Sequence, residues 1–153
     1  MIFNFLSIIN NNQIPLIKDK SNAIPILLSD NEDYLSNYLS NIDLKYAYTI
    51  GYFSSRINTL LVPDGLGNLK FVLIKPATSE RFATGERIAN LPAGKYYLKS
   101  DLPEDFTFEI TLGFCLSSYR FPKIFGNTED FDVLLCISDN LDQKKIKAFI
   151  RSE

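Results

Sequence analysis

The sequence predicts an α/β domain: a mixed β-sheet flanked by helices on both faces. Three observations predict it. Strand-like and helix-like segments alternate along the chain, which implies a sheet covered by its own crossover helices. The run Asp132 to Ile137, "DVLLCI", is almost continuously apolar, as in a strand buried on both faces. Pro63-Asp64-Gly65-Leu66-Gly67-Asn68, a dense set of turn formers, lies between two apolar runs. That predicts a β-hairpin, and therefore an antiparallel pair within the sheet. The expected order is βα, ββ, α, β, α, β, α. A length of 153 residues fits one domain over 1–153, large enough to bury its own core. No repeat, linker or low-complexity block divides it.

Residues 1 to 20 mix apolar and Asn-rich character and predict no particular element. Ala23 to Leu28 has strand length and composition, and Pro25 inside it predicts an edge position or an irregular start. Ser29-Asp30-Asn31 supplies N-cap candidates, with Glu32 and Asp33 in the first turn. Tyr34, Leu35, Tyr38 and Leu39 then fall at helical spacing, so Asn31 to Ser40 reads as a helix. Tyr46 to Ser55 is aromatic and undecided. Ile57 to Val62 and Leu69 to Ile74 are the hairpin strands, and Pro76 stops the second. Ser79 to Ala89 is a helix capped by Ser79. Leu91-Pro92-Ala93-Gly94 is a turn, and Lys95 to Leu98 a strand. Phe106 to Leu112 alternates like a strand, yet Asp105 to Phe121 carries a wide helical apolar sector that Pro122 ends. The pattern leans to helix, with Leu112, Cys115 and Leu116 toward the sheet and Tyr119 and Phe121 buried. Ser138-Asp139-Asn140 caps a final helix, Leu141 to Arg151, whose lysines near the end suit its dipole.

The totals exclude several chemistries. There is no histidine, so neither Ser-His-Asp nor Cys-His catalysis nor His-ligated zinc is available within this chain. Cys115 and Cys136 are the two cysteines. Such sparse use, in apolar surroundings, predicts buried thiols and a reducing, cytoplasmic setting. The net charge of −2 gives no support for a nucleic-acid or anionic-membrane partner. The start "MIFNFLSIINNN" lacks the basic region and cleavage site of a signal peptide, and no stretch has membrane-spanning length.

Local candidates resolve toward structure. Gly65-x-Gly67 lacks a third glycine and the following helix of a dinucleotide loop, so turn geometry explains it. Cys115 near Arg120 has no histidine as base, which leaves a packing thiol. Asp101, Glu104 and Asp105, and Glu129, Asp130 and Asp132, lack EF-hand spacing and read as solvated loop charge. The Lys144 to Arg151 face is diluted by Asp139, Asp142 and Glu153. Tyr119-Arg120-Phe121 has two readings, a cation–π ligand contact or an anchor of the helix end. The residues give no catalytic, cofactor-binding or metal site.

Four segments, in order, carry a resemblance. "INTLLVPDGLGNLKFVLI", "FATGERIANLPAGKYYL", "TLGFCLSSYRFPKIF" and "KKIKAFIRSE" resemble the N-terminal domain of the leucyl (cytosol) aminopeptidase family, in its bacterial subgroup with a short N-terminal domain. The third looks like that subgroup's "ALGWALGSYRF" helix. The last sits where the family has the helix leading to its catalytic domain, with Arg151 matching the arginine of an "RDLINTP" segment. Gly126 to Asp132 departs from the family pattern. The resemblance implies a macro-domain-like fold and a non-catalytic role in hexamer assembly or active-site access. The implied partners are the chain's own catalytic domain and neighbouring subunits. The full-length protein would remove N-terminal residues from peptides with two divalent metals, zinc or manganese, held in a domain absent from this chain. An alternative is a stand-alone macro-like ligand-binding or interaction module.

Overall fold

The computed structural model describes residues 14–54, 57–77, 81–120 and 131–137. Its elements are β1 (Leu16–Ile17), β2 (Ile24–Leu28), α1 (Glu32–Leu35), α2 (Asn41–Ile50), β3 (Thr59–Pro63), β4 (Leu69–Ile74), α3 (Arg81–Ala89), β5 (Gly94–Ser100), α4 (Glu104–Arg120) and β6 (Val133–Cys136). They form one sheet in the order β1-β6-β5-β2-β4-β3. Every pairing is parallel except the β3–β4 hairpin. The sheet is therefore mixed, as the turn-rich loop predicts.

Alternation along the strands divides the core in two. Ile26, Leu28, Val72, Ile74, Tyr96 and Leu135 point to one face, where Ile88 of α3 and Ile110, Leu112, Phe114 and Cys115 of α4 cover them. Leu27, Phe71, Leu73, Leu60 and Val62 point to the other, under Leu35, Leu39, Ala47 and Tyr52. Helices thus lie on both faces. Cys115 and Leu112 join the sheet-facing core and Leu116 packs half-buried against it, as expected.

The ambiguous segment is α4, a helix of 17 residues. Strand-like alternation in "FTFEITL" loses because Pro103 opens a helical turn. Its carbonyl accepts from the Thr107 amide at 3.1 Å, and burial then follows helical spacing. Small residues let α4 lie close to α3. A Cβ on Gly113 would meet the Cα of Phe82 at 2.7 Å, and one on Gly85 would meet the amide nitrogen of Phe114 at 2.3 Å.

The span Asn31–Ser40 is not one helix. Asn31 caps α1 as expected, its Oδ1 accepting from Asp33 N at 2.9 Å. The helix then stops after one turn. Ser36 Oγ donates to the Asp33 carbonyl, and Ser40 Oγ accepts from Asp43 N to start α2. Short polar side chains bonding to nearby backbone divide the helix, as they do wherever they compete with the ladder. α2 occupies much of the undecided aromatic stretch and ends at Gly51, which takes the left-handed conformation at φ +98°.

Pro25 is not on an edge: β2 lies between β5 and β4. It marks the irregular start instead, since Pro25 is in register with β5 at Tyr97, while pairing with β4 begins only at Ile26. β1, with two residues, is too short to leave a pattern in the sequence. The proposed Ser79 cap and the helix Leu141 to Arg151 lie outside the described residues, as does the burial of Tyr119 and Phe121.

Candidate functional site

The place in such a sheet where a ligand would sit is the carboxyl end of neighbouring parallel strands whose crossovers leave on opposite faces. Here that place lies between β2, which leads to α1 on one face, and β5, which leads to α4 on the other. Ser29 follows β2 and Asp101 follows β5. Ser29 Oγ donates to Asp101 Oδ2 at 3.3 Å and accepts from the Asn31 amide at 3.0 Å. Ser100 Oγ donates to the Leu28 carbonyl and accepts from the Leu102 amide. From below, the Tyr52 hydroxyl donates to the Ser29 carbonyl at 2.7 Å. Next to β4, the Ala77 amide donates to Thr84 Oγ1 at 2.8 Å and Arg87 Nη1 to the Lys75 carbonyl at 2.7 Å.

The crest is therefore closed on itself. Ser29 is 2% exposed, and its hydroxyl is engaged twice, so it presents nothing to a substrate. Among the described residues its side-chain partner is a carboxylate, a poor base for a serine. Among the described residues no buried side-chain nitrogen or oxygen lacks a partner, so none is left aimed at a ligand. Asp30 and Asp101 are exposed at the rim, and their charges oppose a phosphate group.

The candidates named from sequence are scattered. Gly65 and Gly67, at φ +83° and +97°, sit in the β3–β4 loop, where Asp64 Oδ1 accepts from the amides of Leu66 and Asn68. This is turn geometry between antiparallel strands. Cys115 is fully buried, far along α4 from the crest, and burial pushes its thiol well above the ordinary range. Glu104 and Asp105 lie in the first turn of α4, where they complement the helix dipole. Glu129, Asp130, the Arg120 side chain and the Lys144 to Arg151 face lie outside the described residues. Among the described residues no group of three or more His, Cys, Asp or Glu comes together to hold a metal ion. No described helix is long and apolar enough to cross a membrane.

The protonation pattern gives a direct expectation. Burial raises Tyr52, Tyr96 and Cys115, and burial together with Tyr38 and Asp101 pushes Tyr34 up to about 12. In the unfolded chain these groups ionise at about 9 to 10. The folded state holds its protons longer, so its stability is fully present below that range and falls as pH rises through it. The urea midpoint should be flat from about pH 6.5 to 8.5 and decline above about pH 9.5. A midpoint that stays level to about pH 11 would contradict the burial of these hydroxyl and thiol groups.

Against this geometry stand three comparisons. A family model described as the N-terminal domain of M17 aminopeptidases matches residues 24–136. The crystal structure of the cytosol aminopeptidase from Coxiella burnetii aligns with a TM-score of 0.67 over 90% of this chain, at 18% identity. At that identity the likeness is one of fold, and this chain spans 31% of that one. No curated protein matches.

Proposed function

Because the chain belongs to the family of M17 aminopeptidase N-terminal domains, we propose that it is the non-catalytic N-terminal part of a metal-dependent aminopeptidase. In this reading the catalytic part follows in the same polypeptide and carries two divalent metals, zinc or manganese. The whole protein removes N-terminal residues from peptides in the cytoplasm. This domain contributes to assembly of a hexamer or to access to its active sites. The match over residues 24–136 carries the proposal. The missing histidine and the closed crest among the described residues support a scaffold over a reaction centre, and favour this reading over the alternative of a stand-alone ligand-binding or interaction module.

The test is a paired assay. The intact gene product, with added manganese, should release N-terminal leucine from a peptide. The 153-residue chain should show no turnover under the same conditions. A reading frame that stops at Glu153, or an intact protein inert toward peptides, would sink the proposal.

A further inference from the structure

The outer surface of α2 has no role in the reading so far. A surface helix normally turns its apolar stripe inward. In α2 the buried side chain is the small Ala47, while Ile42 is 81% exposed, Tyr46 39% and Ile50 45%. Their spacing of four residues places all three on one face. Isolated exposed apolar residues need no explanation, but an aligned row marks an interaction surface.

The row is held rigidly. Ser40 caps the helix start, Gly51 stops it, and Lys70 pairs with Asp43 at 2.9 Å. The Tyr48 hydroxyl donates to Glu32 of α1. Tyr52, buried just beyond the helix, bonds to the Ser29 carbonyl. Little ordering remains to oppose docking.

A second copy of the domain is a poor occupant. A helix of 10 residues is only about 15 Å long, and its row covers far less than the roughly 800 Å² per partner of a stable interface. A tethered partner needs much less area, because the linker holds it at about millimolar effective concentration. The aligned aminopeptidase is about three times as long as the segment this chain spans in it, to judge from the 31% coverage, and the function proposed above puts a fused partner of that order after this domain. We propose that the Ile42–Tyr46–Ile50 row of α2 is the docking seat for the catalytic part of the same polypeptide, which meets it with an apolar, uncharged groove. This rests on the function proposed above.

Photo-crosslinking in the intact protein tests it. With p-benzoyl-phenylalanine in place of Tyr46, cross-links should form within one chain to residues beyond 153. The same group in place of Leu66, 85% exposed on the hairpin loop, should form none there. Adding Ile42→Lys and Ile50→Lys should weaken docking by about tenfold or more and lower the Tyr46 cross-link accordingly, since a lysine buried in an apolar seat costs more than the 1.4 kcal/mol that a factor of ten in the docking constant represents. An active peptidase whose position 46 cross-links to nothing beyond residue 153, or only to another copy, overturns the seat and leaves the function standing. A chain that ends at Glu153 overturns both.

Discussion

Gly85→Ala should lower stability by about 2–4 kcal/mol, a fall in Tm of roughly 5–15 °C for a chain of this length. In an exposed helix the same change would stabilise by about 1 kcal/mol, through helix propensity. The sign reverses here because of what the methyl would meet. A Cβ at Gly85 lies 2.3 Å from the Phe114 nitrogen, 2.5 Å from the Ile110 oxygen and 2.6 Å from the Gly113 carbonyl carbon. All three are backbone atoms of α4, so no side chain can swing aside and the two helices must separate. Separation opens the core around Ile88, Ile110 and Phe114, and protein interiors tolerate such gaps poorly. Gly113→Ala should behave similarly, since its Cβ meets Phe82 Cα at 2.7 Å. Gly67→Ala is the control. Its Cβ meets nothing within 4 Å, but its φ is +97°, so it should cost only the 1–2 kcal/mol of a left-handed conformation. Thermal denaturation of the three variants decides the matter. If Gly85→Ala melts at or above the wild-type temperature, the close crossing of α3 and α4 is wrong.

The glycine pair also shows what was legible. Gly113 lies with Ser117 and Ser118 inside the apolar helical sector of Asp105 to Phe121, where small residues allow close packing. Its partner Gly85, inside "FATGERIA", gave no such sign, because an isolated glycine in a helical pattern has many explanations. The hairpin was readable since its turn chemistry is local, and Leu69–Ile74 falls where the apolar run placed it. "DVLLCI" was readable as an inner strand: β6 pairs in parallel with β1 and β5, and Val133, Leu135 and Cys136 are buried, as the apolar run of a parallel sheet implies. The region from Ser36 to Phe53 was not. Its helix boundaries depend on serine side chains choosing backbone partners. α2 carries an outward apolar row besides its inward Leu44 and Ala47, and Tyr38, counted in the helical spacing of Asn31 to Ser40, is 45% exposed. The crest was equally hidden, because Ser29 and Asp101 come together only through the pairing of β2 with β5.

Tyr52 lay in that unreadable stretch, and its loss should be among the most damaging. Tyr52→Ala is expected to cost about 4–5 kcal/mol. The ring is fully buried in the second core with Leu27, Leu35 and Leu73. It packs edge-on against Phe53, with centroids 5.4 Å apart, and Lys75 Nζ lies 5.1 Å from its centre. Its hydroxyl joins the segment after α2 to the end of β2 through the Ser29 carbonyl at 2.7 Å. Tyr52→Phe separates the two contributions. It keeps the ring but strands the Ser29 carbonyl below the crest, and should cost about 1–2 kcal/mol. It also removes one of the groups whose ionisation burial suppresses, so the alkaline fall of the urea midpoint should become shallower. Denaturant titration of both variants at pH 7 and pH 10 gives all of these quantities. Equal losses for Tyr52→Phe and Tyr52→Ala would mean that the hydroxyl, not the ring, holds α2 against the sheet. A loss below about 1 kcal/mol for Tyr52→Ala would mean that this side chain is not in the core at all.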